Sequence, residues 1–120
     1  MDYIRHQIKD IQIAEIKSEH VVIASIEDAT DLIGNSYYQG FDGIIVPEKG
    51  ISPDFFDLKT GLAGEILQKF SNYRMRLIIA GDFSQYTSSK SLRDFIHECN
   101  KGKQVGFVAS IEEGIALLEG

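Results

Sequence analysis

The chain has 120 residues, with 18 Asp and Glu against 12 Lys and Arg, a formal net charge of −6, 43% hydrophobic residues, one Cys and no Trp. This composition is typical of compact domains, and the length suffices for one hydrophobic core, so we predict a single domain over residues 1–120. The acidic balance argues against nucleic acid or a membrane surface as partner, because either would need a concentrated basic face.

The cysteine count and the N-terminal residues indicate the cellular compartment of the protein. A single Cys cannot form an internal disulfide, which fits a reducing compartment. The N-terminus lacks the basic, apolar and small-residue pattern of a signal peptide, and no apolar run approaches the ~20 residues that span a bilayer. We therefore expect a cytoplasmic protein.

The apolar pattern predicts an α/β fold. Residues 4–8 and 11–16 have the spacing of an antiparallel hairpin, with its turn at Lys9 and Asp10. Four short, continuously apolar runs follow, at residues 21–24, 43–46, 77–80 and 105–109. Strands that are apolar on both faces are typical of parallel sheets covered by helices.

Each of these four runs is followed by apolar residues at helical spacing, which predicts four helices. The four stripes are Ala29, Leu32, Ile33 and Tyr37; Leu62, Ile66, Phe70 and Tyr73; Leu92, Phe95, Ile96 and Cys99; and Ile111, Ile115 and Leu118. Ser110 and Glu113 have the spacing of a capping box, and the sequence around Ser25 is closely similar. The predicted fold is an N-terminal β-hairpin followed by four βα units, in a mixed, mostly parallel sheet covered by helices.

Ligands of open parallel sheets bind beyond the carboxyl ends of the strands, so the connections after residues 46 and 80 are the first candidates for a site. Both are longer than the ~2 to 6 residues usual in α/β units, which favours a functional role. The candidate functional surface consists of Glu48, Asp54, Phe55, Phe56, Asp57, Lys59, Thr60, Gly61, Asp82 and Ser84.

Four carboxylates of this surface admit two interpretations. If Glu48, Asp54, Asp57 and Asp82 converge, they would hold Mg²⁺ or act as a general acid and base. Alternatively, each carboxylate hydrogen-bonds its own backbone in a turn.

The aromatic residues of the same loop also leave two interpretations open. Adjacent Phe55 and Phe56 cannot both face inward if the segment is extended, so one of them would be exposed. Together with Tyr37, Tyr38 and Phe41 it would then form an apolar patch at an interface. The alternative is a loop that folds back onto its own aromatic residues.

The remaining polar groups give no catalytic set. The third predicted helix is preceded by four polar residues, Thr87, Ser88, Ser89 and Lys90. They form either an anion-binding site or simply the N-cap of this helix. Cys99 lies on an apolar stripe, which predicts a buried, structural thiol. Neither the Walker nor the dinucleotide spacing of glycines is present, which argues against nucleotide binding through those motifs. We assign no cofactor, no metal and no catalytic residue.

Several segments resemble a bacterial family known as domain of unknown function 4180. They are residues 37–47 (Tyr-Tyr-Gln-Gly-Phe-Asp-Gly-Ile-Ile-Val-Pro), 54–65 (Asp-Phe-Phe-Asp-Leu-Lys-Thr-Gly-Leu-Ala-Gly-Glu), 81–83 (Gly-Asp-Phe) and 91–96 (Ser-Leu-Arg-Asp-Phe-Ile). The resemblance covers nearly the whole chain. It implies no activity, since the family has none established.

The order of elements is also similar to that of the sulfate-transporter and anti-sigma-factor-antagonist (STAS) domain. In the antagonists a regulatory phosphoserine lies within Asp-Ser-Ser-Gly-Leu, which residues 57–62 resemble with one extra residue and with Leu58 directly after the aspartate. This resemblance implies a regulatory module, with Thr60 as the candidate phosphorylation site.

These observations lead to two functional hypotheses. The first is a non-enzymatic, STAS-like protein-interaction or regulatory module, whose second helix and preceding loop meet a protein partner or a second copy. The alternative is a small-ligand or metal-dependent enzyme that uses the acidic and hydroxyl-rich loops. Because the hairpin edge has few features that prevent strand pairing, we also expect a homodimer.

Overall fold

The computed structural model describes residues 2–86 and 88–119, which form five strands and five α-helices. In chain order these are β1 (Asp2–Ile8), β2 (Ile11–Lys17), α1 (Ile26–Tyr38), β3 (Gly43–Pro47), α2 (Pro53–Phe56), α3 (Leu62–Asn72), β4 (Arg76–Ala80), α4 (Lys90–Lys101), β5 (Val105–Val108) and α5 (Ile111–Glu119). Short 3₁₀ turns lie at Glu48–Gly50, Leu58–Thr60 and Ser84–Tyr86.

The strands form one mixed sheet in the order β1-β2-β3-β4-β5. β1 and β2 make the predicted antiparallel hairpin, with Ile8 opposite Ile11 next to the turn. Each later strand lies parallel to the one before it. The predicted α/β class, with a hairpin leading into βα units of a mostly parallel sheet, is confirmed.

One predicted strand is absent from the sheet. Residues 21–24 form no strand, and only Ile23 makes a single parallel bridge, to Ile51. The second hairpin strand takes its place, because β2 itself pairs in parallel with β3 after the α1 crossover. The apolar run instead supplies Ile23 to the core and joins the turn after β3 through bonds from the N–H groups of Val22 and Ile23 to the Gly50 carbonyl oxygen.

The continuous apolar strands bury both of their faces. In β4, Leu77 and Ile79 belong to one core, which α1, α3 and α4 cover. Ile78 and Ala80 point the other way, into a smaller core under α5. Three helices therefore cover one face of the sheet, and α5 covers the other.

The two similar Ser-containing segments are helix N-caps. Ser25 accepts a hydrogen bond from the N–H of Asp28, whose carboxylate accepts one from the N–H of Ala24. Ser110 and Glu113 make the same reciprocal pair at the start of α5, as predicted.

Two residues assigned to buried stripes are exposed instead. Tyr37 and Tyr73 lie at the C-terminal ends of α1 and α3, where the core no longer covers the helix surface. Over the two described ranges, no helix has the length and apolarity needed to cross a membrane.

Candidate functional site

The predicted rim lies at the carboxyl ends of β3 and β4, and Glu48 is its most buried polar residue. Glu48 directly follows β3 and is 8% exposed. Its side chain lies against Gly81, so closely that a Cβ atom on Gly81 would be 2.1 Å from the Glu48 Cγ. Burial, and secondarily the negative charge of Glu48, raise the pKa of the nearby Tyr86 phenol.

Asp82 and Ser84, the other rim residues after β4, form a local turn. The exposed Asp82 carboxylate accepts a 2.9 Å hydrogen bond from the N–H of Ser84. Hydrogen bonds from the Ser84 backbone and then from its side chain lower the pKa of Asp82. This carboxylate therefore satisfies its own backbone, which is the second of the two interpretations above.

Thr60 fixes the segment between α2 and α3. Its Oγ1 lies 3.0 Å from the Asp54 carbonyl oxygen and 2.9 Å from that of Asp57, and it accepts a hydrogen bond from the N–H of Leu62. The Asp57 carboxylate accepts from the N–H of Lys59. Gly61, at φ 74°, then turns the chain into α3 in a conformation that glycine favours.

The four carboxylates do not form the metal site that was considered. Among the residues that the structure describes, no group of three or more His, Cys, Asp or Glu side chains could hold a metal ion. Asp54 and Asp57 are exposed on the α2 segment, whereas Glu48 is buried against Gly81.

Of the two interpretations of Phe55 and Phe56, the one that leaves a phenylalanine exposed is wrong, because both are buried. Ser52 caps a helical turn at Pro53–Phe56, and a helical turn lets adjacent side chains point into the same core. Phe56 stacks on Tyr86 with ring centroids 4.2 Å apart, and packs against Phe55 and Phe83. The loop thus folds back onto its own aromatic residues.

The interface patch considered above does not form. Phe41 is buried in the core together with Phe55 and Phe56. Tyr37 and Tyr38 are left exposed, Tyr38 at 91%.

The start of α4 is an ordinary N-cap. Ser89 accepts a hydrogen bond from the N–H of Leu92, and Lys90 pairs with Asp94. Thr87 lies outside the described residues. Cys99 is half-buried, and burial, together with the charge of Glu98, raises the pKa of its thiol, as expected for a structural cysteine.

A cavity of about 520 Å³ lies at the opposite, N-terminal edge of the parallel strands. Its walls come from the hairpin turn, the start of β4, the connection between α4 and β5, and the last turns of α5. The aliphatic lining consists of Ile8, Ile11, Ile78, Val105, Ala116, Leu117 and Leu118. Its size is within the roughly 300–1,000 Å³ usual for small-molecule sites.

Four cations and one carboxylate line this cavity, in a chain whose net charge is −6. The cations are Lys9, Arg76, Lys101 and Lys103, and the carboxylate is Asp10. Lys9 donates a 2.7 Å hydrogen bond to the Glu119 carbonyl oxygen, and Lys101 pairs with the exposed Glu98. Within residues 2–86 and 88–119, Arg76 and Lys103 have no ion-pair partner.

The side-chain amide of Asn100 helps to hold the connection beside the cavity. Asn100 accepts a hydrogen bond from the N–H of Phe107 at 2.7 Å and donates one to its carbonyl oxygen at 3.2 Å. These bonds fix the end of α4 against β5, and with it the segment carrying Lys101 and Lys103. The sequence alone gives little sign of this cavity, because its lining comes from four segments of which only Lys101-Gly102-Lys103 forms a local basic signal.

Most of the chain matches a known protein family. A family model described as Domain of unknown function (DUF4180) matches residues 8–118. No curated protein and no solved structure matches the chain. The resemblance to STAS domains stays a prediction.

Proposed function

The chain belongs to the DUF4180 family, and we propose that it is a non-enzymatic regulatory module that binds an amphiphilic organic anion in the cavity beneath α5. The observation that carries this proposal is the combination, in one cavity of about 520 Å³, of four cationic side chains and an aliphatic wall.

The positive charge of the cavity lining favours a negatively charged ligand. Its lining has a formal charge of +3, from Lys9, Arg76, Lys101 and Lys103 against Asp10, although the chain as a whole is acidic. Arg76 is the half-buried cation of the set, and a guanidinium binds a carboxylate or a phosphate through two parallel N–H donors.

The aliphatic wall of the cavity favours a ligand that also carries an apolar chain. Ile78 and Val105 are buried in the sheet, while Leu117 of α5 is 45% exposed. An aliphatic group that covered Leu117 would remove this apolar surface from water, which contributes roughly 25 cal/mol per Å². The expected ligand is therefore a carboxylate or phosphate with an apolar chain. Among the described residues, those that line the cavity include no Ser, Cys, His or Tyr beside these cations, which is why we propose regulation rather than catalysis.

Decanoate and decyl phosphate test the ligand class. We expect both to raise the melting temperature of the protein and to give saturable heats in isothermal titration calorimetry. Acetate and inorganic phosphate have the negative charge of these ligands without the apolar chain, and decyltrimethylammonium has the apolar chain with a positive charge. None of the three should raise the melting temperature or give saturable heats. A ligand present at 100 times its Kd stabilises the folded state by about 2.7 kcal/mol.

Charge reversal tests the location of the site. Lys103→Glu should weaken decanoate binding about tenfold or more, since it places a carboxylate in the cavity. Lys49→Glu is the matched control, because Lys49 is exposed on the turn after β3 and changes the net charge equally. Equal losses in both variants, or binding of decyltrimethylammonium as strong as that of decanoate, would contradict the proposal.

A further inference from the structure

β1 is an outer strand whose second edge is open. The sheet order places β2 on one side of β1, and no strand of the described chain lies on its other side. β1 is seven residues long and contains neither Pro nor Lys, the residues that commonly protect such edges. The opposite edge strand, β5, has only four residues.

The side chains of β1 add an apolar surface to this edge. Tyr3 is 41% exposed and Ile4 is 45% exposed, and as neighbours in a strand they lie on opposite faces of the sheet. Tyr3 packs edge-on against Phe41 and donates a hydrogen bond to Gln39, and the Arg5 guanidinium lies 4.2 Å from the centre of the Phe41 ring. Tyr3 and Arg5 are thereby held along the edge.

We propose that two copies of the chain pair antiparallel through β1, with Ile4 opposite Ile4, so that their sheets join into one. A two-fold axis perpendicular to the sheet keeps each side chain on its own face. In this register Asp2 of each copy lies opposite His6 of the other, and Tyr3 opposite Arg5. Every described position from 2 to 6 then faces a complementary group: apolar to apolar, acid to imidazole, and ring to guanidinium.

Neighbouring registers lack this complementarity. Moving the axis to Arg5 sets Arg5 opposite Arg5 and leaves Asp2 opposite Ile8. Moving it to His6 sets the two imidazoles opposite each other. Like charges directly opposite each other are unfavourable in antiparallel pairs, whereas apolar pairs such as Ile4 with Ile4 are favourable, so of these registers the one centred on Ile4 is the self-complementary one.

Disulfide cross-linking tests the register directly. Cys99→Ser removes the chain's one cysteine, and Ile4→Cys in that background places two thiols opposite each other at the axis. We expect rapid cross-linking of Ile4→Cys under mild oxidation. A mixture of Tyr3→Cys and Arg5→Cys proteins should form mixed disulfides faster than either protein cross-links to itself. His97→Cys, exposed on α4, which packs on β5 at the opposite edge of the sheet, is the background control.

Sedimentation equilibrium tests the association itself. We expect the unmodified protein to dimerise at tens of micromolar, and Ile4→Lys to raise the dimer Kd at least tenfold. Val21→Lys is the matched control, since Val21 is 48% exposed but lies outside the strands, and it should leave the Kd unchanged. A monomeric unmodified protein would overturn the proposal. So would a dimer that fails to cross-link through Ile4→Cys, because it would use another surface.

Discussion

Replacement of Gly81 by Ala tests the packing at the centre of the rim. Gly81 follows β4, and its N–H donates to the Val108 carbonyl oxygen. An added Cβ would lie 2.1 Å from Cγ and 3.0 Å from Cβ of Glu48, far inside the ~3.5 to 4.0 Å at which carbon atoms attract each other. Glu48 is 8% exposed, so its side chain cannot move aside without disturbing the turn after β3.

The expected loss follows from the cost of overpacking. Inserting a methyl group into a filled site usually costs about 1–3 kcal/mol. For a domain of this length, each 1 kcal/mol shifts the melting temperature by about 4 °C. Gly81→Ala should therefore lower the melting temperature by about 4–12 °C, as measured by calorimetry.

A double-mutant cycle assigns this loss to Glu48. Glu48→Ala removes the Cγ atom and leaves only the 3.0 Å approach of Cβ. In that background Gly81→Ala should cost about 1–2 kcal/mol less, a coupling of the size expected for residues in contact. Urea unfolding of the four proteins measures this coupling.

Two outcomes would refute the reasoning. One is additivity of the two substitutions within about 0.5 kcal/mol, since independent sites behave in that way. The other is an equal loss in Gly64→Ala, the control. No atom lies within 4 Å of a Cβ built on Gly64 in α3, so alanine should be neutral there or stabilise the protein by up to about 1 kcal/mol.

Three further predictions concern other parts of the fold. Burial by itself raises the pKa of buried Glu15, but hydrogen bonds from His6 and Lys17 outweigh it, so the folded pKa lies below 4.5. The stabilisation is then present above the unfolded pKa and lost as pH falls through the lower folded value. Glu15→Gln should be destabilised at pH 7, and melting curves should show this difference shrinking in acid. Phe56→Ala should cost about 3–5 kcal/mol in urea unfolding, whereas exposed Tyr38→Ala should stay within about 0.5 kcal/mol. Thr60→Val should lose about 1–2 kcal/mol in thermal unfolding while Thr60→Ser loses less, because serine keeps the hydroxyl that joins α2 to α3.

Local signals predicted most of the elements, and the exceptions have physical causes. The run at residues 21–24 has the composition of a strand, but β2 already occupies the place beside β3, and pairing with β3 depends on contacts distant in sequence. The helical turn at Pro53–Phe56 had a local signal, Ser52 before Pro53, a combination typical of an N-cap and first helical position. An extended segment would expose one of the two phenylalanines, whereas the helical turn buries both.

The strand order explains why the rim is filled. In open sheets, ligands bind where the strand order reverses and adjacent crossovers leave in opposite directions. Here the order never reverses, and α1, α3 and α4 all cover one face. The carboxyl ends of β3 and β4 are instead covered by α2 and by the turn that carries Tyr86. The general rule for parallel sheets thus points to the rim, whereas the cavity lies at the opposite edge of the strands.

The cavity exists because α5 covers the other face alone. Its last turns meet the hairpin turn and the end of α4, and this junction depends on tertiary packing that no local pattern encodes. Two of the four cations in the cavity also interact favourably with the C-terminal ends of helices, where carbonyl groups carry partial negative charge. Lys9 donates to the carbonyl oxygen of Glu119 in α5, and Lys101 lies in the last turn of α4.

Substitutions can distinguish a lysine that both bonds a helix end and lines the cavity, such as Lys9, from one that only lines the cavity, such as Lys103. Lys9→Met removes a hydrogen bond to the end of α5, so it should lower the free energy of unfolding by about 0.5–1.5 kcal/mol and also weaken decanoate binding. Lys103→Met removes only a positive charge from the cavity, because Lys103 has no hydrogen bond or ion pair to another described residue. It should weaken binding with unfolding changed by less than about 0.5 kcal/mol. If neither variant weakens decanoate binding, the positive charges of the cavity bind no anion, and the proposed site does not exist.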